Sequence, residues 1–181
     1  LLGFDLPLWL DFLATLLWFV ALTNAFNLID GLDGLATGLA LVACLGLMGA
    51  FFLRRMPSDA LVMLGLIGAC MAFLRYNVHP ASIFLGDTGS MFLGGMVTAL
   101  AFIMGRPELV FFFGIVYIWD AMTVVIQRVY FKLTHGKRIF RMTPIHHAFE
   151  MRGWKEVKID FFFSLIAIIG VVLGLMYVYM A

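Results

Sequence analysis

Charge is what this sequence has least of. Lys and Arg number 12 and Asp and Glu 11, together 13% of 181 residues, for a net charge of +1. Soluble domains carry about a quarter charged residues, so an ordinary water-soluble fold is excluded. A hydrophobic share of 64% excludes disorder as well. No excess of one sign points to a nucleic-acid partner, and none is expected. Cysteine is nearly missing: Cys44 and Cys70 both lie in apolar runs, where a small buried thiol is the ordinary occupant rather than a disulfide or a metal ligand. Linkers, repeats and low-complexity tracts are absent. The chain opens Leu1-Leu2-Gly3-Phe4-Asp5 without Met or a basic leader segment, so its first apolar stretch reads as a membrane span at the start of a fragment, not as a signal peptide.

What is present is hydrocarbon, with a mean hydropathy of +1.04. Apolar runs occupy approximately 6–23, 35–53, 60–74, 90–104, 109–127 and 161–180, each near the length that crosses about 30 Å of bilayer core. Barrel strands would alternate apolar and polar residues, whereas Leu39-Ala40-Leu41-Val42-Ala43-Cys44-Leu45 is continuous, so helices are expected. The expectation is an all-α, polytopic transmembrane bundle of about six spans, with residues 1–181 forming one integral membrane domain. Gly34/Gly38 and Gly65/Ala69 have the spacing of small residues that let helices approach closely.

Sidedness follows from the connections. Segments 24–34, 75–89 and 128–160 share one side if all six runs cross, and they hold Arg75, Arg128, Lys132, Lys137, Arg138, Arg141, Arg152, Lys155 and Lys158, nine of the twelve cations. The opposite turns hold Arg54, Arg55 and Arg106. The positive-inside rule therefore places the three rich connections in the cytoplasm.

The polar clusters fall in those same connections. In the first, Asn24, Asn27, Asp30 and Asp33 repeat a polar group every three residues, which aligns two amides and two carboxylates at a membrane edge. Carboxylates so spaced repel unless a cation or proton sits between them. A hydrated, helix-capping loop would use fewer polar groups. In the second, Phe84-Leu85-Gly86-Asp87-Thr88-Gly89-Ser90 sets one carboxylate between glycines before a span. That arrangement suits Mg²⁺ with phosphate, and equally suits an ordinary helix cap.

The third connection carries eight of the nine cations, the pattern of a loop facing lipid headgroups. Within it, Thr143-Pro144-Ile145-His146-His147-Ala148-Phe149-Glu150 predicts a short helix with Thr143 as cap, Pro144 at its first position, and His146 and Glu150 on one face. The zinc-protease spacing is absent. Adjacent histidines among cations fit an anionic substrate or proton exchange near neutral pH. Asp11 and Asp120 lie inside apolar runs and must face the bundle or the interface. They are the handles of a rival reading as an ion-coupled transporter, which the edge position of the other ionisable groups disfavours.

Together the three clusters resemble the polyprenyl-phosphate N-acetylhexosamine-1-phosphate transferases. An Asn-rich approach to Asp-Gly-x-Asp-Gly is matched by Asn24 to Gly34, Asn-x-x-Pro-Ala-x-x-Phe-x-Gly-Asp-x-Gly-Ser by Asn77 to Ser90, and Pro-Ile-His-His with a following Glu and Gly-Trp by Pro144 to Trp154. The resemblance implies a bacterial plasma-membrane enzyme of peptidoglycan synthesis with its site on the cytoplasmic face. It implies transfer of phospho-MurNAc-pentapeptide from UDP-MurNAc-pentapeptide to undecaprenyl phosphate, with Mg²⁺ as cofactor and a homodimer among its expected assemblies. It also implies that Asp87 holds the metal, that Asp30, Asp33, His146 and His147 are catalytic, and that Asn24, Asn27, Asn77 and Phe84 bind substrate. The Pro144–His147 run with Gly153-Trp154 favours the muramoyl branch over its GlcNAc-1-phosphate relative. The chain departs from the pattern in two ways. An upstream Asp-Asp pair and Lys within a roughly ten-span chain have no counterpart here, so the resemblance implies a carboxyl-terminal portion. Ala148 stands where the family has a third histidine.

Overall fold

The computed structural model describes residues 7–180, and all regular structure among them is helical. In chain order the helices are α1 (Leu8–Leu28), α2 (Leu35–Leu53), α3 (Pro57–Asn77), α4 (Gly86–Ile103), the short α5 (Leu109–Phe113), α6 (Ile115–Leu133), the six-residue α7 (Ile145–Glu150) and α8 (Glu156–Met180). Five of them, α1, α2, α3, α4 and α8, are long and apolar enough to cross a membrane. The sixth expected span, 109–127, is instead a broken element. α5 stops at Gly114, whose Cβ would meet the Val110 carbonyl oxygen at 2.8 Å, and α6 restarts at once with Asp120, Arg128 and Lys132 along it. The protein is a multi-pass membrane protein.

The helices outrun the apolar windows. α1 continues through Asn24 and Asn27, α3 runs to Asn77, and α4 starts at Gly86. Polar residues end a hydropathy run but not a hydrogen-bonded backbone, which in a bilayer gains from keeping its groups paired. The polar stripe at 24–33 is therefore half helix and half loop, and only 29–34 connects α1 to α2.

α2 is the central helix. Ala36, Leu39, Ala40, Ala43, Leu47 and Phe51 are all buried along it, with α3 on one side and α4, α5 and α8 around the remainder. Phe26 of α1 stacks on Tyr117 of α6, with centroids 3.6 Å apart and planes 9° from parallel, and the Tyr117 hydroxyl donates to Ala36 O of α2 at 2.7 Å. One aromatic pair thus ties three helices together. Of the expected glycines only Gly34 makes a close approach, its Cβ position 3.5 Å from Val78 Cα, whereas Gly38 and Gly65 have open space where a side chain would be. Gly94 is where α4 meets α1, since a Cβ there would lie 2.9 Å from Phe26 Cβ. Gly170 and Gly174 let α8 lie against Phe112 and Phe113 of α5. Spacing marks a small residue as able to pack, but only the bundle decides which face is turned inward.

The connections 29–34, 78–85 and 134–155 meet at one end of the bundle, joined by the side-chain contacts described below. The turns after α2 and α4 lie away from that cluster. In intact cells, cysteines substituted at the exposed positions Thr88 and Lys137 should escape an impermeant maleimide, and one at exposed Ser58 should be labelled, with Cys44 and Cys70 silent because they are buried. Labelling at Thr88 with protection at Ser58 would reverse the orientation.

Candidate functional site

α7 is held in place by a buried carboxylate and an aromatic clamp. Asp120, wholly buried on α6, accepts the His146 backbone N–H through Oδ1 at 3.2 Å and binds His146 Nδ1 through Oδ2 at 3.0 Å. On the far side Phe149 packs on Trp154, Phe162 and Phe163, and Lys158 caps the Trp154 ring at 4.0 Å. The helix begins at Ile145 with Pro144 as its cap and no side-chain cap bond, so Thr143 does not cap it. His146 and Glu150 lie on the same short helix, but their partners differ: Glu150 pairs with His147 Nδ1, and His146 belongs to Asp120.

In the neutral tautomer that donates from Nδ1 to Asp120 Oδ2, Nε2 of His146 keeps its lone pair. Nε2 is buried and without a hydrogen-bond partner among the described residues. It is turned toward Gly31, where a Cβ would lie 2.7 Å from it and 3.2 Å from His147 Nε2. The loop between Asp30 and Asp33 therefore runs directly beside both imidazoles, whose centroids are 4.2 Å apart. Glycine is required at residue 31 by space alone.

The second connection closes the other side. Asn27 Nδ2 donates to Asp87 Oδ1 and to Ser90 Oγ, both at 3.0 Å, which locks the last turn of α1 to the first turn of α4. Ser90 Oγ returns a bond to Gly86 O at 3.0 Å. Asp30 reaches the same place. Burial pushes its carboxyl above the usual range, the Gly86 N–H it accepts pulls it back, and the neighbouring Asp87 charge adds to the rise. Two neighbouring carboxylates supply hard oxygen ligands of the kind that Mg²⁺ accepts alongside water and phosphate oxygens, and the chemistry of Asp30 and Asp87 suits that ion.

Asp33 points elsewhere. Its Oδ2 accepts Ala81 N–H at 2.9 Å and contacts His79 Nδ1 at 3.1 Å, and His79 reaches Glu156 Oε2 at 3.2 Å. Among the described residues this trio at the start of α8 is the three-ligand cluster, and it does not include Asp87. Asn77 is buried and fully engaged, accepting from Thr37 Oγ1 and donating to Ile83 O, each at 3.0 Å. It shapes the loop that presents Phe84, whose ring is 72% exposed. Asn24 stands apart, its Nδ2 bonded to Val20 O on its own helix at 2.7 Å. It lines a largely apolar groove of about 470 Å³ between α1 and α6, together with Trp18, Leu28, Met122, Val125 and Arg128.

Eight of the nine sequence-predicted site residues thus belong to one contiguous set at one end of the bundle, with Asn24 on the groove beside it. Sequence reading assigned Asp120 no part in this set, although an ionisable residue within an apolar run was the signal that it had one. His79 and Glu156 were overlooked, since neither stands out locally.

These features define a polytopic membrane protein whose polar site is built at helix ends from three separate connections. A family model described as "Glycosyl transferase family 4" matches residues 1–105, and the chain belongs to that family. It is similar to phospho-N-acetylmuramoyl-pentapeptide-transferases of Caldicellulosiruptor bescii (46% identical over 152 residues, 84% of this chain and 47% of the relative), Listeria welshimeri (40% over 166 residues, 92% and 51%) and Limosilactobacillus fermentum (42% over 171 residues, 93% and 53%). The chain spans about half the length of the curated relatives it matches.

Removing one partner of a buried hydrogen-bonded pair leaves the other unsatisfied, at a cost of about 1–3 kcal/mol. Asp120→Ala should therefore lower the thermal midpoint sharply. Asp120→Asn should keep the fold but lose the Nδ1-protonated tautomer, read from the His146 ¹⁵N resonances. An unchanged midpoint in Asp120→Ala would show that this pair does not hold α7.

Proposed function

We propose that the protein moves phospho-MurNAc-pentapeptide from UDP-MurNAc-pentapeptide to undecaprenyl phosphate on the cytoplasmic face of the bacterial plasma membrane, releasing UMP. A phosphate oxygen of the lipid acceptor forms a bond to the sugar-bearing phosphorus of the nucleotide, and the bond from that phosphorus to the UMP oxygen breaks. The observation that carries this reading is that Gly31 lies against His146 and His147 while the adjacent Asp30 reaches Gly86 and neighbours Asp87. The names of the relatives agree with it.

Phosphoryl transfer needs positioning and charge cancellation more than covalent chemistry. Asp30 and Asp87 would hold Mg²⁺, which supplies charge neutralisation on the diphosphate oxygens. Asn27 fixes the Asp87 carboxylate. His146, oriented by Asp120, places Nε2 beside Gly31, where its neutral form would accept a hydrogen bond from the acceptor phosphate. Gly31 lets the Asp30–Asp33 loop approach both imidazoles closely. The exposed Phe84 ring offers a stacking face for the uracil. The groove between α1 and α6 suits a prenyl chain: its walls are mainly apolar, and Arg128 and Asn24 supply the polar part.

The test is transfer by the full-length protein in liposomes, read as UMP release. Asp87→Asn keeps shape and removes charge, so activity should fall by about two orders of magnitude or more and require higher Mg²⁺. Undiminished transfer with the parental Mg²⁺ dependence would overturn the metal assignment, and preferential use of UDP-GlcNAc would overturn the choice of sugar.

A further inference from the structure

Next to the groove between α1 and α6, and sharing Arg128 with it, lies a second recess of about 360 Å³ at the end of α6, lined by Arg128, Arg138 and Arg141 with Phe131, Phe140 and Met142 among its other walls. Its shape is fixed rather than incidental. Gln127 Oε1 accepts the backbone N–H groups of both Ile139 and Phe140 at 3.0 Å, which folds the 134–144 segment back against the helix and brings two of its arginines to the one on α6. No carboxylate lines the recess, and among the described residues the ion pair made by an arginine is Arg106–Glu108, at the other end of the bundle. Three guanidiniums sharing one hollow repel one another unless an anion joins them, and guanidinium forks match phosphate oxygens. The surroundings are apolar and exposed: Phe131, Leu133, Ile139 and Met142 are 44%, 75%, 51% and 43% accessible. Arginines interleaved with exposed apolar side chains at a helix end mark the headgroup layer of a membrane.

We propose that this recess is a binding site for the phosphodiester headgroup of an anionic bilayer phospholipid, bound as a resident lipid. A phosphate that reacts must reach Asp30, Asp87 and His146, and none of these lines the recess. The bound headgroup neutralises the three guanidiniums, and its acyl chains lie along the exposed faces of Phe131 and Met142. The inference is independent of the transferase reading, because it concerns binding alone.

The experiment is native mass spectrometry of the full-length protein in detergent, titrated with phosphatidylglycerol and, separately, with phosphatidylcholine. Phosphatidylglycerol should bind about tenfold or more tightly than phosphatidylcholine, as expected for charge-assisted phosphate contacts that a neutral zwitterion satisfies less well. The double variant Arg138→Gln/Arg141→Gln should abolish the preference, and Arg141→Gln alone should reduce it. Arg152→Gln/Lys155→Gln, which removes the same charge from the same connection outside the recess, should leave it unchanged. All four side chains are exposed, and an unaltered thermal midpoint verifies each variant. Equal losses in both double variants would reduce the effect to diffuse charge and overturn the site. Displacement by millimolar inorganic phosphate, or tighter binding of undecaprenyl phosphate lost in the same variant, would overturn the assignment to a bilayer phospholipid.

Discussion

A carboxylate and an imidazole enclosed together inside a membrane bundle are the constraint on which this site rests. Asp120 is wholly buried, and so is His146. A buried polar group left without its partner is costly, so each holds the other in place. Because Asp120 binds the backbone N–H as well as the ring, it anchors the start of α7 and not merely a side chain. The orientation of Nε2, the path of the loop at Gly31 and the position of Asp30 opposite Asp87 all follow from that anchor. The Phe26–Tyr117 stack, three residues earlier along α6, sets the depth at which Asp120 sits against α1 and α2.

The rest of the polar chemistry is arranged so that carboxylates at the bundle end meet backbone or amide donors before any ligand arrives. Asp33 closes on Ala81 and His79, Asp87 on Asn27, and Asp30 on Gly86. Asp30 and Asp87 remain a like-charged pair without a cationic side chain among these partners. The cations of the chain gather instead on the 128–158 stretch, so the carboxylates and most of the positive charge lie on different segments.

Composition and run length were enough to identify a helical membrane bundle, because a continuous apolar run has only one means of satisfying its backbone in hydrocarbon. Parity of the spans then brought the three polar connections to one side, and the contacts at Gly31, Asn27 and His79 bear this out. Less legible was anything set by rotation about a helix axis. Asn24 and Asn27 are one turn apart, yet Asn27 reaches α4 and Asn24 bonds its own helix. Gly94 packs while Gly65 does not. Asp120 could be seen as costly but not as paired, since its partner lies 26 residues away on a helix too short to carry a periodic signal. The break at Gly114 was hidden because an apolar run continues unbroken across it.

That break has a further consequence. α6 departs from α5 at Gly114, and the groove between α1 and α6 opens on the flank of the bundle rather than at its end. Whatever fills it arrives by sideways diffusion within the leaflet and never crosses water. Its occupancy is then governed by mole fraction among neighbouring lipids, a two-dimensional quantity, while anything that reaches the helix ends from water is governed by concentration in solution. The groove and the helix-end cluster sample reservoirs of different dimension, so dilution of the aqueous phase and dilution of the membrane become separate controls on the same protein.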